Sequence, residues 1–383
     1  MEYIKRYLEA EILKSIKQIP VTAIIGPRQC GKSTLAKHVL KGKTDTLYLD
    51  MERPADLQKL DNAELFLSQY KDHIICIDEI QRKAELFPLI RSLVDEWDRK
   101  GRFIILGSAS RDLIKQSSET LAGRIFYKTL TPFMWDEIGS NSNFKNYFVR
   151  GGFPPSILGE DDDFSFVWRE NFINTFLERD LRQWLNFTPV TMYRLWRMLA
   201  HNNGQTVNYT NLSSSLGVSD QTIKNYIDLL QGTFMLEVVP PYISNLGKRM
   251  IKSPKVYIAD SGITSALLGL HTFNDVAAHP VFGSIWEQIV LVNIKAKFPN
   301  AEIFFYRTSS GNEIDFVVRT MNNIFAIECK VSDSPSLSAG NYAAIGDIAA
   351  DRNFVVVPSN ENKWFIKENI SVVSLSDLYG EME

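Results

Sequence analysis

A glycine-rich loop near the N-terminus constrains this chain more than any other stretch. Its residues are Gly26, Pro27, Arg28, Gln29, Cys30, Gly31, Lys32, Ser33 and Thr34. An apolar run of strand type, 21–25, precedes the loop, and residues 35–40 can continue it as a helix. A strand, a G-x-x-x-x-G-K-[ST] loop and a helix in this order are typical of a phosphate-binding loop. The sequence therefore predicts that residues 26–34 bind a nucleotide.

Two side chains of this loop predict its ligands. In such a loop, backbone N–H groups and the positive end of the following helix surround a phosphate. Lys32 is expected to reach the outer phosphates, and the Ser33 hydroxyl is expected to hold Mg2+. The guanine-reading pattern Asn-Lys-x-Asp does not occur in the sequence. ATP and Mg2+, rather than GTP, are therefore the expected cofactors.

An acidic pair at the end of an apolar run forms the second chemical signal. Residues 74–77 are apolar and lead directly into Asp78 and Glu79. A buried strand that ends in such a pair is typical of a Walker B element. Asp78 is then predicted to hold the Mg2+ through a water molecule, as the second metal-binding residue after Ser33. Glu79 is predicted to orient or deprotonate the attacking water. Because a small-molecule kinase does not need this pair, hydrolysis is favoured over phosphoryl transfer.

Two further residues are candidates for the catalytic site. Ser108 follows the strand-like run 102–107, and ligands of open α/β sheets lie beyond the carboxyl ends of the strands. Ser108 or Ser110 is expected to touch the γ-phosphate or the attacking water, or else to cap a helix. Arg124 precedes the strand-like run 125–130, where it serves either as an arginine finger toward a neighbouring copy or in an ordinary ion pair. The arginine-finger alternative requires a homo-oligomer.

The composition is that of a globular protein from a reducing compartment. A length of 383 residues predicts two or three domains. The three cysteines lie far apart without C-x-x-C spacing, which favours the cytosol over a disulfide framework or a zinc site. Residues 1–20 carry charges throughout, and no apolar run approaches the roughly 18 residues that span a bilayer. We therefore expect a cytoplasmic protein without a membrane partner.

Five short motifs carry a family resemblance. They are Gly-Pro-Arg-Gln-Cys-Gly-Lys-Ser33, Ile-Asp-Glu-Ile-Gln81, Gly-Ser-Ala-Ser-Arg111, Leu-Ala-Gly-Arg124 and Gly151-Gly-Phe-Pro154. Together they resemble a widespread family of bacterial and archaeal AAA-type P-loop ATPases with a C-terminal domain of uncharacterised function. The resemblance implies a five-stranded AAA-type core over residues 1–130 and a small helical lid over 131–186. Arg179 or Arg182 would then sense the nucleotide from the lid, or belong to a solvated charge run.

Residues 187–270 are predicted to form a winged-helix-like domain with the junction that follows it. Two helices over 209–216 and 220–230, joined by a tight turn, are indicated by their apolar spacing. The charged residues counted here are the cations Arg194, Arg197, Lys224, Lys248, Arg249, Lys252 and Lys255 and the acids Asp220, Asp228, Glu237 and Asp260. Seven cations against four acids leave a net charge of +3. This modest excess fits contact with DNA through Gln221 and Asn225, or a plain packing module.

The C-terminal domain, 271–383, contains a third candidate site. Asp315 lies on one strand-like run, and Glu328 with Lys330 lies on the next. With Glu287 on the preceding helix, these residues resemble the PD-(D/E)XK nuclease fold. The resemblance implies that Glu287, Asp315 and Glu328 hold Mg2+ and that Lys330 steers or deprotonates the attacking water. From residue 281 onward, however, 8 Lys and Arg stand against 13 Asp and Glu, whereas a nuclease surface usually attracts phosphate.

These observations predict an α/β protein with an AAA-type P-loop ATPase core, a helical lid, a winged-helix-like middle domain and a C-terminal α/β restriction-endonuclease-like domain. Two functional hypotheses remain open. The preferred one is an ATPase that acts on DNA or RNA, with or without metal-dependent cleavage at the C-terminal site. The other is an ATP-driven switch or scaffold that binds protein partners, in which the nuclease-like domain is catalytically inactive.

Overall fold

The structure, a computed structural model, describes residues 3–108, 117, 119–139, 143–181, 188–243, 250–332, 334–358 and 363–383. The chain divides into two compact units. The first comprises residues 1–133 with 232–234, and the second comprises 134–231 with 235–383. Within the described residues, no helix combines the length and the apolar character that a membrane crossing needs.

Strands and helices alternate in the first unit. Its strands are β1 (Val21–Gly26), β2 (Thr46–Asp50), β3 (Ile74–Asp78), β4 (Phe103–Ser108) and β5 (Ile125–Thr129). Its helices are α1 (Leu8–Gln18), α2 (Lys32–Leu40), α3 (Pro54–Lys59), α4 (Ala63–Ser68) and α5 (Leu86–Trp97), with a 3-10 turn at Ile80–Lys83. The strand-like runs of the sequence at 21–25, 46–49, 74–77, 102–107 and 125–130 correspond to these five strands.

The five strands form one parallel sheet in the order β2-β3-β4-β1-β5. Side chains alternate between its faces: Ile75 and Ile77 of β3 pack with α5, whereas Cys76 packs with α1 and α2. Apolar burial on both faces is what a doubly wound sheet requires, and the predicted α/β core is confirmed. Because the strands are parallel, the residues that follow β1, β3 and β4 gather at one edge of the sheet.

Apolar residues at helical spacing in the sequence predict one helix over 2–18 and another over about 55–70, and the structure differs from both. The first helix begins at Leu8, and the second is divided into α3 and α4. Asn62 causes the division, since its side chain accepts a hydrogen bond from the Leu65 N–H at 3.2 Å and caps α4. Asparagine competes with the backbone in a helix interior and is favoured at the first cap.

The second unit begins with a helical part. Its helices are α6 (Trp135–Ile138), α7 (Phe144–Arg150), α8 (Pro154–Ile157), α9 (Asp162–Thr175), α10 (Pro189–His201), α11 (Tyr209–Leu216), α12 (Asp220–Gly232), α13 (Ser261–Leu268) and α14 (Phe273–Ala278), with a π-helical turn at Phe176–Asp180. Two antiparallel strands accompany them, β6 (Leu236–Val239) and β7 (Lys255–Ile258). The helices α11 and α12 agree with the predicted two-helix motif, while a winged-helix assignment stays a prediction.

One hydrophobic core extends through this helical part. It contains Phe153 and Phe172 from the predicted lid together with Trp196, Leu230 and Leu267 from the predicted winged-helix region. The predicted boundary between residues 186 and 187 lies outside the described residues, but side chains from both sides of it share this core. The two segments therefore fold against each other, and the predicted domain bounds stay a prediction.

Two buried charges fix the junction of α7, α9 and α13. Asp260 caps α13 by accepting a hydrogen bond from the Ile263 N–H at 3.0 Å, and its other oxygen accepts from the Gly152 N–H at 2.7 Å. Arg169 donates to the carbonyl oxygens of Val149 and Gly262 at 2.5 and 2.9 Å. Such bonds offset the desolvation of both charges. They also explain Asp260, for which the sequence pattern indicates no chemistry.

A six-stranded mixed sheet completes the second unit. Its strands are β8 (Glu302–Arg307), β9 (Glu313–Arg319), β10 (Ile324–Cys329), β11 (Arg352–Val357), β12 (Trp364–Lys367) and β13 (Ile370–Ser374), in the order β12-β13-β11-β10-β9-β8. Its helices are α15 (Phe282–Lys297), α16 (Ala339–Ile348) and α17 (Leu375–Met382). Trp286 on α15 donates to the Val356 carbonyl of β11 at 2.9 Å and fixes this helix against the sheet. The likeness of this part to the nuclease fold stays a prediction.

Candidate functional site

The loop after β1 depends on two glycines with positive φ. Gly26 ends β1 with a φ of +153°, and a Cβ at this position would lie 2.1 Å from the carbonyl oxygen of Leu130. Gly31 has a φ of +99° and leads directly into α2. Glycine adopts such conformations at little cost, whereas a side chain would be strained there. The two glycines therefore allow the loop backbone to turn tightly into the N-terminus of α2.

Lys32 bends back over this loop. Its Nζ donates hydrogen bonds to the carbonyl oxygens of Gly26 at 3.0 Å and Pro27 at 2.7 Å, and only 6% of the residue is exposed. An ammonium group held by neutral carbonyls can exchange them for phosphate oxygens, which are stronger acceptors because they are charged. The loop geometry thus fits a nucleotide phosphate.

A buried arginine from the N-terminal segment supports the loop. Arg6 donates from Nη1 to the Cys30 carbonyl oxygen at 3.0 Å, and from Nη2 to the carbonyl oxygens of Thr131 and Pro132 at 2.6 and 3.2 Å. Its guanidinium lies 4.6 Å from the centre of the Phe133 ring. Arg6 therefore connects the loop to the segment that follows β5. No local motif marks this residue in the sequence.

A tyrosine on β2 connects the two predicted Mg2+ residues. The Tyr48 hydroxyl donates to Asp78 Oδ2 at 2.5 Å and interacts with the Ser33 side chain. Burial and the bond to Asp78 raise the pKa of Tyr48, so the hydroxyl keeps its proton. A serine hydroxyl and a carboxylate are the hard oxygen ligands that Mg2+ prefers. Because Ser33 and Asp78 converge on one hydroxyl group, the pair fits a metal ion.

Glu79 occupies a strained backbone position next to Asp78. Its φ is +56°, which is uncommon for a residue other than glycine and recurs at functional sites. Burial raises the pKa of the Glu79 carboxyl, Lys32 opposes this shift, and Asp78 adds to it. The Gln81 side chain donates a hydrogen bond to Glu79 Oε2. Glu79 is thus oriented, and it is a stronger base than an exposed glutamate.

The other predicted catalytic residues are less closely tied to this site. The backbone of Ser108 lies opposite Gly26 in the register of β4 and β1, but its side chain, like Ser110 and Arg182, lies outside the described part of the chain. Arg124 forms a bidentate ion pair with Asp95, with N–O distances of 2.5 and 2.9 Å. It would have to leave Asp95 to reach a nucleotide, and its role as an arginine finger stays a prediction.

The second unit contains a polar cavity of about 540 Å3 beside the C-terminal sheet. All four residues of the candidate nuclease site, Glu287, Asp315, Glu328 and Lys330, line this cavity. Lys330 Nζ lies 2.8 Å from Glu328 Oε1, and Asp315 Oδ2 accepts a hydrogen bond from the Cys329 N–H at 2.8 Å. The fold therefore brings together the residues that the sequence pattern groups. We call this cavity the carboxylate pocket.

A lysine from β7 lies among these carboxylates. Lys255 Nζ is 2.7 Å from Glu313 Oε1, 3.7 Å from Asp315 Oδ1 and 3.8 Å from Glu287 Oε2. Lys255 is 3% exposed. Among the residues that the structure describes, no three or more histidine, cysteine, aspartate or glutamate side chains are arranged to hold a metal ion. The sequence prediction missed both Lys255 and Glu313, although Glu313 lies two residues before Asp315, which places both on one side of β9.

The ionisable groups of the carboxylate pocket depend strongly on one another. Burial raises the pKa of Glu287 and of Glu328 to about 8, and Asp315 adds to both shifts. Lys255 opposes the shift of Glu287, and Lys330 opposes that of Glu328. Burial alone would lower the pKa of Lys255, but Glu287, Asp315 and Glu313 together raise it. Lys255 is therefore firmly protonated at neutral pH.

The sheet order and the nucleotide loop agree with the family models that the sequence matches. Residues 18–139 match a model described as an AAA domain. The first unit is therefore an AAA-type P-loop ATPase core, with a parallel sheet and a loop suited to ATP. Two models described as domains of unknown function match residues 141–274 (DUF8612) and 282–378 (DUF4143).

Whole-chain relatives define the family more closely. Uncharacterized proteins of Mycobacterium tuberculosis and Mycobacterium bovis are each 35% identical over 370 residues, which are 96% of this chain and 83% of theirs. The chain belongs to the family of these mycobacterial proteins. Among solved structures, a Walker-type ATPase of Pyrococcus abyssi is similar over 70% of this chain and 96% of its own, with a TM-score of 0.49 and 15% identity.

The pH dependence of the free energy of unfolding in a Glu328 variant tests how Glu328 ionises in the carboxylate pocket. In the folded chain the pKa of Glu328 is about 8, above its ordinary value of 4.5. The protonated carboxyl group therefore contributes to the stability of the folded chain at acidic pH, and this contribution is lost as the pH rises through 8. Glutamine cannot ionise. We expect Glu328→Gln to gain about 4 kcal/mol in free energy of unfolding relative to the unchanged chain between about pH 5 and about pH 8.5.

Urea denaturation at a series of pH values measures this difference. The exposed carboxyl of Glu368 offers a matched control, and Glu368→Gln should follow the unchanged chain at every pH. A constant offset between Glu328→Gln and the unchanged chain across this range would contradict the expected ionisation.

Proposed function

We propose that this protein hydrolyses ATP with Mg2+ at residues 26–34 together with Asp78 and Glu79. The observation that carries this proposal is the meeting of Lys32, Asp78 and Glu79 at one edge of the parallel sheet, close enough that Lys32 and Asp78 both shift the pKa of Glu79. A phosphate-binding amine, a metal carboxylate and a general base in one place are the parts that hydrolysis of a phosphoanhydride needs.

The loop residues bind and orient the nucleotide in this proposal. Backbone N–H groups of the loop and the N-terminus of α2 receive the phosphates. Lys32 exchanges its bonds to Gly26 and Pro27 for bonds to the outer phosphate oxygens. Ser33 and Asp78 hold the Mg2+, which when bound neutralises the charge on the phosphates.

Glu79 prepares the water in this proposal. Its raised pKa makes the carboxyl a better proton acceptor, and its contact with Gln81 limits the directions in which it can point. Tyr48 must release Asp78 when this carboxylate takes up a metal ion, because the Tyr48 hydroxyl donates to Asp78 Oδ2. Tyr48 thereby becomes a competitor of the metal.

For the second unit we favour a switch that binds protein over an ATPase that acts on nucleic acid. Of the cations counted in the predicted winged-helix region, Lys255 is buried among carboxylates, and Lys248 and Arg249 lie outside the described residues. Lys224 on α12 lies over the Tyr209 ring, and Gln221 is bonded to Asn225. Without Lys255 the count falls to six cations against four acids, and affinity for nucleic acid depends on positive charge that can reach phosphates.

Replacing Lys32 and Glu79 separates binding from hydrolysis. We expect Lys32→Ala to weaken ATP binding by about a hundredfold or more, because the amine is lost from the phosphates. We expect Glu79→Gln to bind ATP normally and to lower turnover by about a hundredfold or more, because glutamine does not accept the proton. Fluorescent-nucleotide titration and steady-state phosphate release measure the two effects. Lys41→Ala, at an exposed lysine just after α2, is the control, and normal turnover by either test variant would refute the proposed site.

Replacing Tyr48 tests its competition with the metal. Tyr48→Phe removes the hydroxyl that donates to Asp78, and one such bond is worth about 1 kcal/mol. We expect the Mg2+ concentration at half-maximal turnover to fall about fivefold. The control is Tyr127→Phe on β5, which loses a hydroxyl that lies 2.8 Å from the Ser117 hydroxyl. It should leave this Mg2+ concentration unchanged. An increase in Tyr48→Phe would mean that the hydroxyl supports the metal instead.

Nucleic acids distinguish the two roles of the second unit. We expect steady-state ATP turnover to be the same with and without single-stranded DNA, duplex DNA, branched DNA or RNA, with Glu79→Gln as the blank for contaminating ATPases. Stimulation by any one of these forms would favour the nucleic-acid hypothesis and would justify a search for cleavage of that form.

A further inference from the structure

Carboxylates from three elements of the C-terminal part converge on one amine. Glu287 comes from α15, Glu313 and Asp315 come from β9, and Glu328 comes from β10. Convergent carboxylate oxygens are the ligands that hard divalent cations prefer. The cation that lies at the centre of this set is the ammonium group of Lys255, within 4 Å of three of the four carboxylates.

Backbone contacts fix Lys255 in this position. It begins β7, where it pairs with Val239 of β6 and with Thr206 on its other side. Tyr257, two residues further along the same strand, donates from its hydroxyl to Glu287 Oε2 at 2.8 Å. Both polar side chains of β7 therefore face the pocket, because side chains alternate along a strand with a period of two. Lys255 is a built part of the pocket and not a mobile surface lysine.

The polypeptide also approaches the pocket closely at Gly204. A Cβ added there would lie 3.2 Å from Glu287 Oε2 and 3.1 Å from the Tyr257 ring, and the φ of Gly204 is +77°. The helical part thus contacts Glu287 with a cation, a hydroxyl group and a glycine turn. These contacts come from residues whose match lies in DUF8612, whereas the carboxylates belong to the part that matches DUF4143.

One carboxylate oxygen in the pocket has no partner among the described residues. Within that part of the chain, Glu328 Oε2 is buried and makes no hydrogen bond, while Glu328 Oε1 lies 2.8 Å from Lys330 Nζ. Glu328 as a residue is 5% exposed. An unpaired buried carboxylate oxygen is costly, so the pocket depends on the cations that already line it, Lys255, Lys330 and Arg307.

We propose that Lys255 is the resident cation of the carboxylate pocket and takes the position that a divalent metal ion would need. The residues do not fit a metal while β7 is docked, because an ammonium group 2.7 Å from Glu313 repels a second cation at the same carboxylates. Lys255 therefore holds the helical part on the C-terminal sheet and keeps the pocket free of metal. The proposal does not depend on ATP hydrolysis in the first unit.

Manganese titration of the full chain without nucleotide tests this proposal, with free Mn2+ followed by electron paramagnetic resonance. Lys255→Met removes the ammonium group but keeps a long side chain. We expect it to gain one Mn2+ site per chain, about tenfold or more tighter than any Asp315-dependent binding in the unchanged chain. Adding Asp315→Asn to Lys255→Met should abolish the new site. Lys255→Arg keeps the charge and should gain no site.

Lys252→Met is the matched control, because Lys252 is an exposed lysine three residues before Lys255. It should bind Mn2+ like the unchanged chain. A folded Lys255→Met that gains no site would overturn the proposal. So would a tight Mn2+ site in the unchanged chain that disappears with Asp315→Asn, and this second comparison decides the matter even if Lys255→Met does not fold.

Discussion

A buried charge requires a partner, and this requirement shapes both units of the chain. Arg6 is 4% exposed and is satisfied by the carbonyl oxygens of Cys30, Thr131 and Pro132. Its bonds tie the phosphate-binding loop to the segment after β5, so the shape of the loop depends on residues more than a hundred positions away. In the second unit Lys255 is satisfied by carboxylates of the C-terminal part. Each buried cation thus connects segments that have no sequence proximity.

The same requirement explains how much of the site could be predicted from the sequence. The loop 26–34 and the pair Asp78 and Glu79 follow apolar strands directly, so a local pattern is sufficient to find them. The five strands of the first sheet were predictable for the same reason, since each is a short apolar run. Arg6 and Tyr48 were not, because each acts on a residue 24 or 30 positions away through a single contact that leaves no period in the sequence.

Charge counts failed at Lys255 for a physical reason. A count over residues 187–260 treats every lysine as a surface cation, but Lys255 is buried and its charge is balanced by Glu313, Asp315 and Glu287. The sequence carries one hint, which is that Lys255 and Tyr257 share one side of a short strand whose other residues are apolar. A lysine and a tyrosine on the buried side of a strand need polar partners, and acidic residues elsewhere in the chain can provide them.

In both units a side chain of the protein bonds to the groups that are predicted to bind a metal ion, but the two cases differ in energy. Tyr48 donates a hydrogen bond from a neutral hydroxyl to Asp78. A divalent cation that binds Asp78 displaces this one bond, and the loss costs about 1 kcal/mol. Lys255 offers its carboxylates a full positive charge on a paired strand, so a metal ion would have to displace the strand or bind against charge repulsion. The nucleotide site can therefore exchange its internal partner for Mg2+ during turnover. The carboxylate pocket keeps its partner, which favours a structural joint over a catalytic metal centre.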